Sequence, residues 1–261
     1  MNDAVKFLKK FSAEILICFV LLFGTFILYP IISSLVEAKV KTPICSVQNV
    51  KPSYESLKAH TVIIYGCTGD VDASEKLVFP LGEDSGCWEG TGVVVKITDK
   101  ETYVLTNNHV AGKGTEEPIL FVKNEEQKIH ATIVKYHRYV DMAIIKIPKK
   151  IKDKVAINKI SIPEIQEAVY IVGNPLGNNY VYTEGIMAGY VGISYLFQAP
   201  CIYGNSGSGI FNANGDLVGL VYALQAYPGW MSIPEAQITY SIAVDSLSIE
   251  FFLKDLGLYN E

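Results

Sequence analysis

Arginine is nearly missing from this sequence: of 22 basic residues, only Arg138 is one. There is also no basic run, and the net charge is −5. The chain therefore lacks the clustered cations that phosphate binding demands, which argues against nucleic acid as a partner. The four histidines, His60, His109, His130 and His137, include no pair at the close spacing of a zinc motif, so no metal is expected. No repeat of ~20–50 residues and no low-complexity tract is present, which sets aside solenoids and propellers. Strands alternating with long amphipathic helices are missing too, which sets aside a doubly wound α/β sheet.

One long apolar run is present. Ile15 to Val36 carries no charge and matches the ~20 residues that a bilayer-spanning helix needs. Lys6, Lys9 and Lys10 precede it and Lys39 and Lys41 follow, a bias that favours a cytoplasmic N-terminus and an exported remainder. The expected layout is a cytoplasmic segment at 1–14, a transmembrane anchor at 15–36, a linker at 37–53 holding Pro43 and Pro52, and a folded domain from 54 to 261. The domain would then face the periplasm or the extracellular space. A cleaved signal peptide, processed at Val36-Glu37-Ala38, is the alternative.

From Thr61 onward, short β-branched and aromatic runs separated by Gly, Asn, Asp and Pro predict an all-β barrel or sandwich pair. They cover 61–65, 91–97, 102–106, 119–122, 131–135, 142–147, 168–172, 181–190, 209–211, 217–222 and 238–242. One helix is expected, Val244 to Leu256, with Leu247, Phe251 and Leu256 facing the barrel and Gly257 marking its end.

Chemistry concentrates at Tyr203 to Tyr222, YGNSGSGIFNANGDLVGLVY, where Ser206 stands between two glycines. A serine hydroxyl is a poor nucleophile until a base takes its proton, so a base and a carboxylate must accompany it. His109 lies upstream in VLTNNHV, and Asp141 in YVDMAIIKI, at the head of an apolar run where an unpartnered charge would be costly. Asp153 and Asp216 are weaker candidates, one in a lysine-rich loop and one in a hairpin turn. The order His, Asp, Ser with these flanks resembles the trypsin-like serine peptidases, and among them the HtrA/Deg type.

The resemblance implies a chymotrypsin/trypsin-like double six-stranded β-barrel with a C-terminal helix. It implies Ser206 as nucleophile, His109 as base, Asp141 as its orienting partner, and the backbone N–H groups of Gly204 and Ser206 as oxyanion donors. It also implies action on proteins or peptides without a cofactor, and a homotrimer as one possible assembly. Ser208 departs from the family's GNSGG form. HtrA/Deg proteins usually carry a PDZ domain after the peptidase domain, and none is expected in the residues that follow Ser206. By the same resemblance Tyr222, Ala223 and Leu224 offer a strand edge to an extended substrate. Pro200, Cys201 and Leu224 would wall an uncharged first pocket suited to Val, Ala or Ile.

Of five cysteines, Cys18 falls in the anchor. Among the other four, Cys67 and Cys87 bracket a loop and are the first choice for a bridge, with four separate thiols as the alternative. A rival function is a catalytically silent or ligand-activated binding or chaperone-like module on the same fold.

Overall fold

The computed structural model describes residues 51–68, 86–124, 127–227 and 237–260. The anchor expected over 15–36, most of the linker, Cys18 and Cys45 lie outside them. Val50–Glu261 is one unit and opens on helix α1 (Tyr54–His60), whose N-cap Ser53 accepts from the Ser56 N–H and whose Leu57 is buried.

Six strands follow: β1 (Thr61–Cys67), β2 (Cys87–Ile97), β3 (Thr102–Thr106), β4 (Ile119–Asn124), β5 (Gln127–Tyr136) and β6 (Ala143–Ile147). They close into a barrel in the order β1-β2-β3-β6-β5-β4. The next six repeat the pattern: β7 (Ala168–Gly173), β8 (Val181–Val191), β9 (Ser194–Gln198), β10 (Gly209–Phe211), β11 (Leu217–Tyr227) and β12 (Gln237–Asp245). Their order is β10-β11-β12-β9-β8-β7, again closed. Helix α2 (Ser246–Asp255) ends the fold, capped by Asp245, whose side chain accepts from the Ser248 N–H.

The apolar runs have a simple cause. Side chains alternate across a strand, and several strands here are buried on both faces. Val62 and Ile64 of β1, Val94 of β2 and Val104 of β3 fill the first barrel. Their neighbours Ile63, Val93, Val95 and Leu105 point the other way, into a cluster shared with Val172, Phe211, Leu220 and Phe252. In β7, Val169 and Ile171 fill the second barrel while Tyr170 and Val172 join that shared cluster. Two barrels thus sandwich a third apolar layer, and TVIIY and GVVVKI read as continuous rather than alternating.

Three expectations change. Strand β9 and helix α1 are additional elements. The C-terminal helix starts at Ser246 rather than Val244, because Asp245 is its cap and Val244 still belongs to β12. Its buried face is Ile249, Phe252 and Leu253, with Leu256 packing at the edge, whereas Leu247 and Phe251 are exposed. A disulfide joins Cys67 to Cys87 at the paired ends of β1 and β2.

Candidate active site

The three predicted residues sit at turns that follow or precede barrel strands. His109 is in the turn after β3, Asp141 in the turn before β6, and Ser206 in the loop before β10. His109 Nδ1 lies 2.6 Å from Asp141 Oδ2. A carboxylate only accepts, so Nδ1 carries a proton, and in the neutral ring Nε2 is the nitrogen with the lone pair. The other carboxylate oxygen accepts from the His109 backbone N–H at 3.2 Å. The pair is partly open to solvent.

The turn before Asp141 is held by residues that the motif reading left without a role. Asn107 Nδ2 donates to Asp141 O at 2.7 Å. Asn108 Nδ2 donates to Val140 O at 2.9 Å and His137 O at 3.1 Å. His137 Nδ1 accepts from the Tyr139 and Val140 N–H groups. Both asparagines are buried, so TNNHV supplies the histidine and the two amides that dock its loop on the aspartate's turn. His137 and His60 are half-buried. Burial lowers both below the usual imidazole range. His60 also bonds Val155 O through Nδ1 and stacks on Phe211. The alternative aspartates are elsewhere: Asp153 is exposed, and Asp216 accepts from Ser161 Oγ at 2.7 Å.

Ser206 is stitched to both barrels. Its carbonyl accepts from the Thr91 N–H of β2 at 2.8 Å, and the next residue, Gly207, donates to Val221 O of β11 at 2.8 Å. Gly90 lies between the histidine and serine loops, since a Cβ there would fall 2.6 Å from Val110 Cγ1 and 3.3 Å from Ser206 O. Among the described residues Ser206 Oγ makes no hydrogen bond; in unliganded enzymes this contact is often long and tightens with substrate.

The backbone around Ser206 shows what the loop can bind. The N–H groups of Asn205, Gly207 and Ser208 are used, donating to Ile202, Val221 and Asn205 carbonyls. Those of Gly204 and Ser206 are not used among the described residues. The Tyr203 carbonyl accepts from the Leu176 N–H at 2.8 Å. In a trans peptide C=O and N–H point oppositely, so this bond turns the Gly204 N–H away from Leu176. Two unpaired donors flanking one serine are what a developing oxyanion requires. Gly204 has φ +94° and a Cβ would stand 2.2 Å from Asn174 O; Gly207 has φ +85° and a Cβ would stand 1.9 Å from Thr91 O. Only glycine fits either position. Ser208 is accommodated because Gly173 lacks a side chain: a Cβ there would lie 2.4 Å from Ser208 Oγ.

Beyond Val221, strand β11 pairs only with β12 among the described residues, so one edge of Tyr222–Leu224 is open. Tyr222 falls in a break of register between Val221 and Ala223 and its hydroxyl meets Ser194 Oγ at 3.1 Å. Leu224 packs against the second barrel's core. Pro200 is exposed. Cys201, expected on a pocket wall, is buried in that core with only 2% exposure, and burial raises its thiol pKa.

The family model of the trypsin-like peptidase domain matches residues 90–220, a span holding His109, Asp141 and Ser206. The chain belongs to the trypsin-like peptidase family. This peptidase domain is similar to the "Serine protease Do-like HtrA" of Lactococcus lactis subsp. lactis, 28% identical over 199 residues, which are 70% of this chain and 47% of that one. It is also similar to the "Serine protease HtrA-like" protein of Staphylococcus haemolyticus, 32% identical over 152 residues, 51% of this chain and 24% of that one. The chain thus spans about half the length of these relatives or less. Among solved structures, the Rv3671c protease of M. tuberculosis in its active form shares the fold, with TM-score 0.58 and 19% identity over 82% of this chain and 88% of that one.

One carboxyl beside this peptidase site is held in an unusual state. Glu89 pairs with Tyr65 across β1 and β2, and its Oε1 is buried with no partner. Burial pushes it up to about 7 from 4.5, against a smaller opposing pull from Lys123. A raised carboxyl costs nothing while both states hold the proton; the folded state then loses stability as pH rises from 4.5 to about 7. Glu89→Gln removes that slope. Melting curves of the two proteins should coincide below about pH 4, where both states hold the proton, and by pH 8 the variant should be more stable by about 1–2 kcal/mol, allowing for solvent screening. His60 and His137 titrate in both proteins and cancel in the difference.

Proposed function

We propose that the chain is a serine endopeptidase of HtrA type that cuts exposed or unfolded segments of proteins through an acyl-enzyme. The observations that carry this reading are the His109–Asp141 pair and, across Gly90 from the histidine's turn, a serine loop in which, among the described residues, the unused N–H groups between 204 and 208 are those of Gly204 and Ser206. His109 Nε2 takes the Ser206 proton as Oγ attacks the carbonyl carbon. The tetrahedral oxygen collects the two N–H donors, and Asp141 stabilises the imidazolium. His109 then gives the proton to the leaving amine, and water repeats the sequence to release the acid.

The acyl side of the substrate extends β11 along Tyr222–Leu224 as an added strand. The first pocket, with Leu224 on its wall and no charge among Pro200, Cys201 and Leu224, favours Val, Ala or Ile. The apolar segment 15–36 tethers the domain to the membrane, outside the cytoplasm, in support of which stand its length and the flanking lysines. To test the specificity, the protein is incubated with a permanently unfolded polypeptide and the new termini are mapped by mass spectrometry. Cuts after Val, Ala and Ile are expected. Cuts after Lys or Arg would overturn the pocket assignment, and a folded protein that makes no cuts would favour the silent binding module.

A further inference from the structure

The donors at Gly204 and Ser206 are useful only if the peptides between them keep their carbonyls turned away, and one side chain of the other barrel holds the middle one. Thr91, fully buried on β2, donates from Oγ1 to Gly204 O at 2.8 Å, while its own N–H holds Ser206 O. It therefore grips both ends of Gly204–Ser206. The direction of the hydroxyl proton is fixed by a third residue. Asn174, fully buried, must use Oδ1 to accept from the Tyr180 N–H at 2.9 Å, because a backbone N–H can only donate. Its Nδ2 then faces Thr91 Oγ1 at 2.9 Å. The hydroxyl accepts there, and its proton goes to Gly204. Thr106 Oγ1 pins the Thr91 carbonyl at 2.7 Å.

We propose that Thr91 is a positioning residue for the oxyanion hole: the relay from Asn174 through the Thr91 hydroxyl to the Gly204 carbonyl sets the orientation of the two N–H donors, and it forms only when the two barrels are docked. Position 91 touches no reacting atom; it acts through Gly204. The inference rests on the peptidase reading above, deepening it from which groups stabilise the oxyanion to what holds them.

The test measures kcat and KM separately on a peptide ester with a chromogenic leaving group, for the full chain and three variants. Thr91→Val keeps the branched shape and removes the hydroxyl. Thr91→Ser keeps the hydroxyl. In Asn174→Asp a carboxylate can only accept from Thr91, which draws the proton off Gly204 with the Thr91 side chain intact. Thr91→Val and Asn174→Asp should each lower kcat by about 10- to 100-fold, short of deleting a donor outright, with KM within about twofold; Thr91→Ser should restore kcat to within about threefold of the parent. A purely structural role would move melting temperature and leave kcat of the folded fraction alone. A folded Thr91→Val with parental kcat overturns the proposal, as does failure of Thr91→Ser to recover. Should Thr91→Val not fold, Asn174→Asp decides it, with unchanged kcat counting against. A parent chain that turns over no ester and no peptide sinks the peptidase reading itself, an outcome distinct from an active parent matched by its variants.

Discussion

Ser206→Ala should lower kcat on an unfolded-protein or ester substrate by about 10⁴- to 10⁶-fold, the range expected when the nucleophile of a cooperating triad is deleted. The fold should not notice. Ser206 Oγ makes no hydrogen bond among the described residues, while the loop is held through backbone atoms that alanine retains: Ser206 O to Thr91 N–H and Gly207 N–H to Val221 O, each at 2.8 Å. The variant's circular dichroism and melting temperature should therefore match the parent's. A large loss of activity with a lowered melting temperature would instead mean that the serine supports the loop, and activity that persists would remove it from the chemistry.

The second large effect is expected at Asp141. Its two oxygens accept from two different donors of His109, the backbone N–H and the Nδ1–H. Asparagine has one oxygen and one NH₂ group, so it cannot accept at both. If the oxygen stays on the backbone N–H, the NH₂ faces Nδ1, and the imidazole must move its proton to Nε2, where it can no longer receive one from Ser206. Asp141→Asn should cost about 10⁴-fold in kcat at neutral pH. Asn107 and Asn108 still hold the turn through backbone carbonyls of Asp141, Val140 and His137, so its position should be kept. Stopped-flow acylation measured beside thermal melting separates the two effects; a loss below about tenfold would mean that the histidine finds its tautomer without the aspartate.

Much of this was legible in the chain, for identifiable reasons. Strands buried on both faces give long apolar runs, and an all-β barrel or sandwich pair was expected from them, with the family resemblance pointing to two six-stranded barrels. His109 and Ser206 could be named as candidates because their flanking phrases, TNNHV and GNSGS, are local. What escaped was non-local or subtle. The relay links positions 91, 174 and 204, on different barrels and loops, and nothing in the spacing of a threonine, an asparagine and a glycine announces contact. Asn107 and Asn108 read as turn formers, yet their side chains reach across to the aspartate's turn. Strand β9 had a signal that went unused: β8 ends at Val191 and β9 begins at Ser194, a two-residue hairpin with Gly192 at φ +60°. For the C-terminal helix the right period was assigned to the wrong face, because Asp245 was taken as helical when it is the cap. Cys201 was placed on a pocket wall by the family resemblance alone, whereas its side chain is buried in the core.

The central claim is that Ser206 is activated by the base that Asp141 orients. The most direct measurement is covalent labelling with a fluorophosphonate, followed by peptide mapping, on the parent chain, Ser206→Ala and His109→Ala at neutral pH. The account predicts one label per chain on Ser206, none on Ser206→Ala, and labelling slowed by at least about 10³-fold in His109→Ala. Label on another residue, or equal labelling with and without His109, would contradict it.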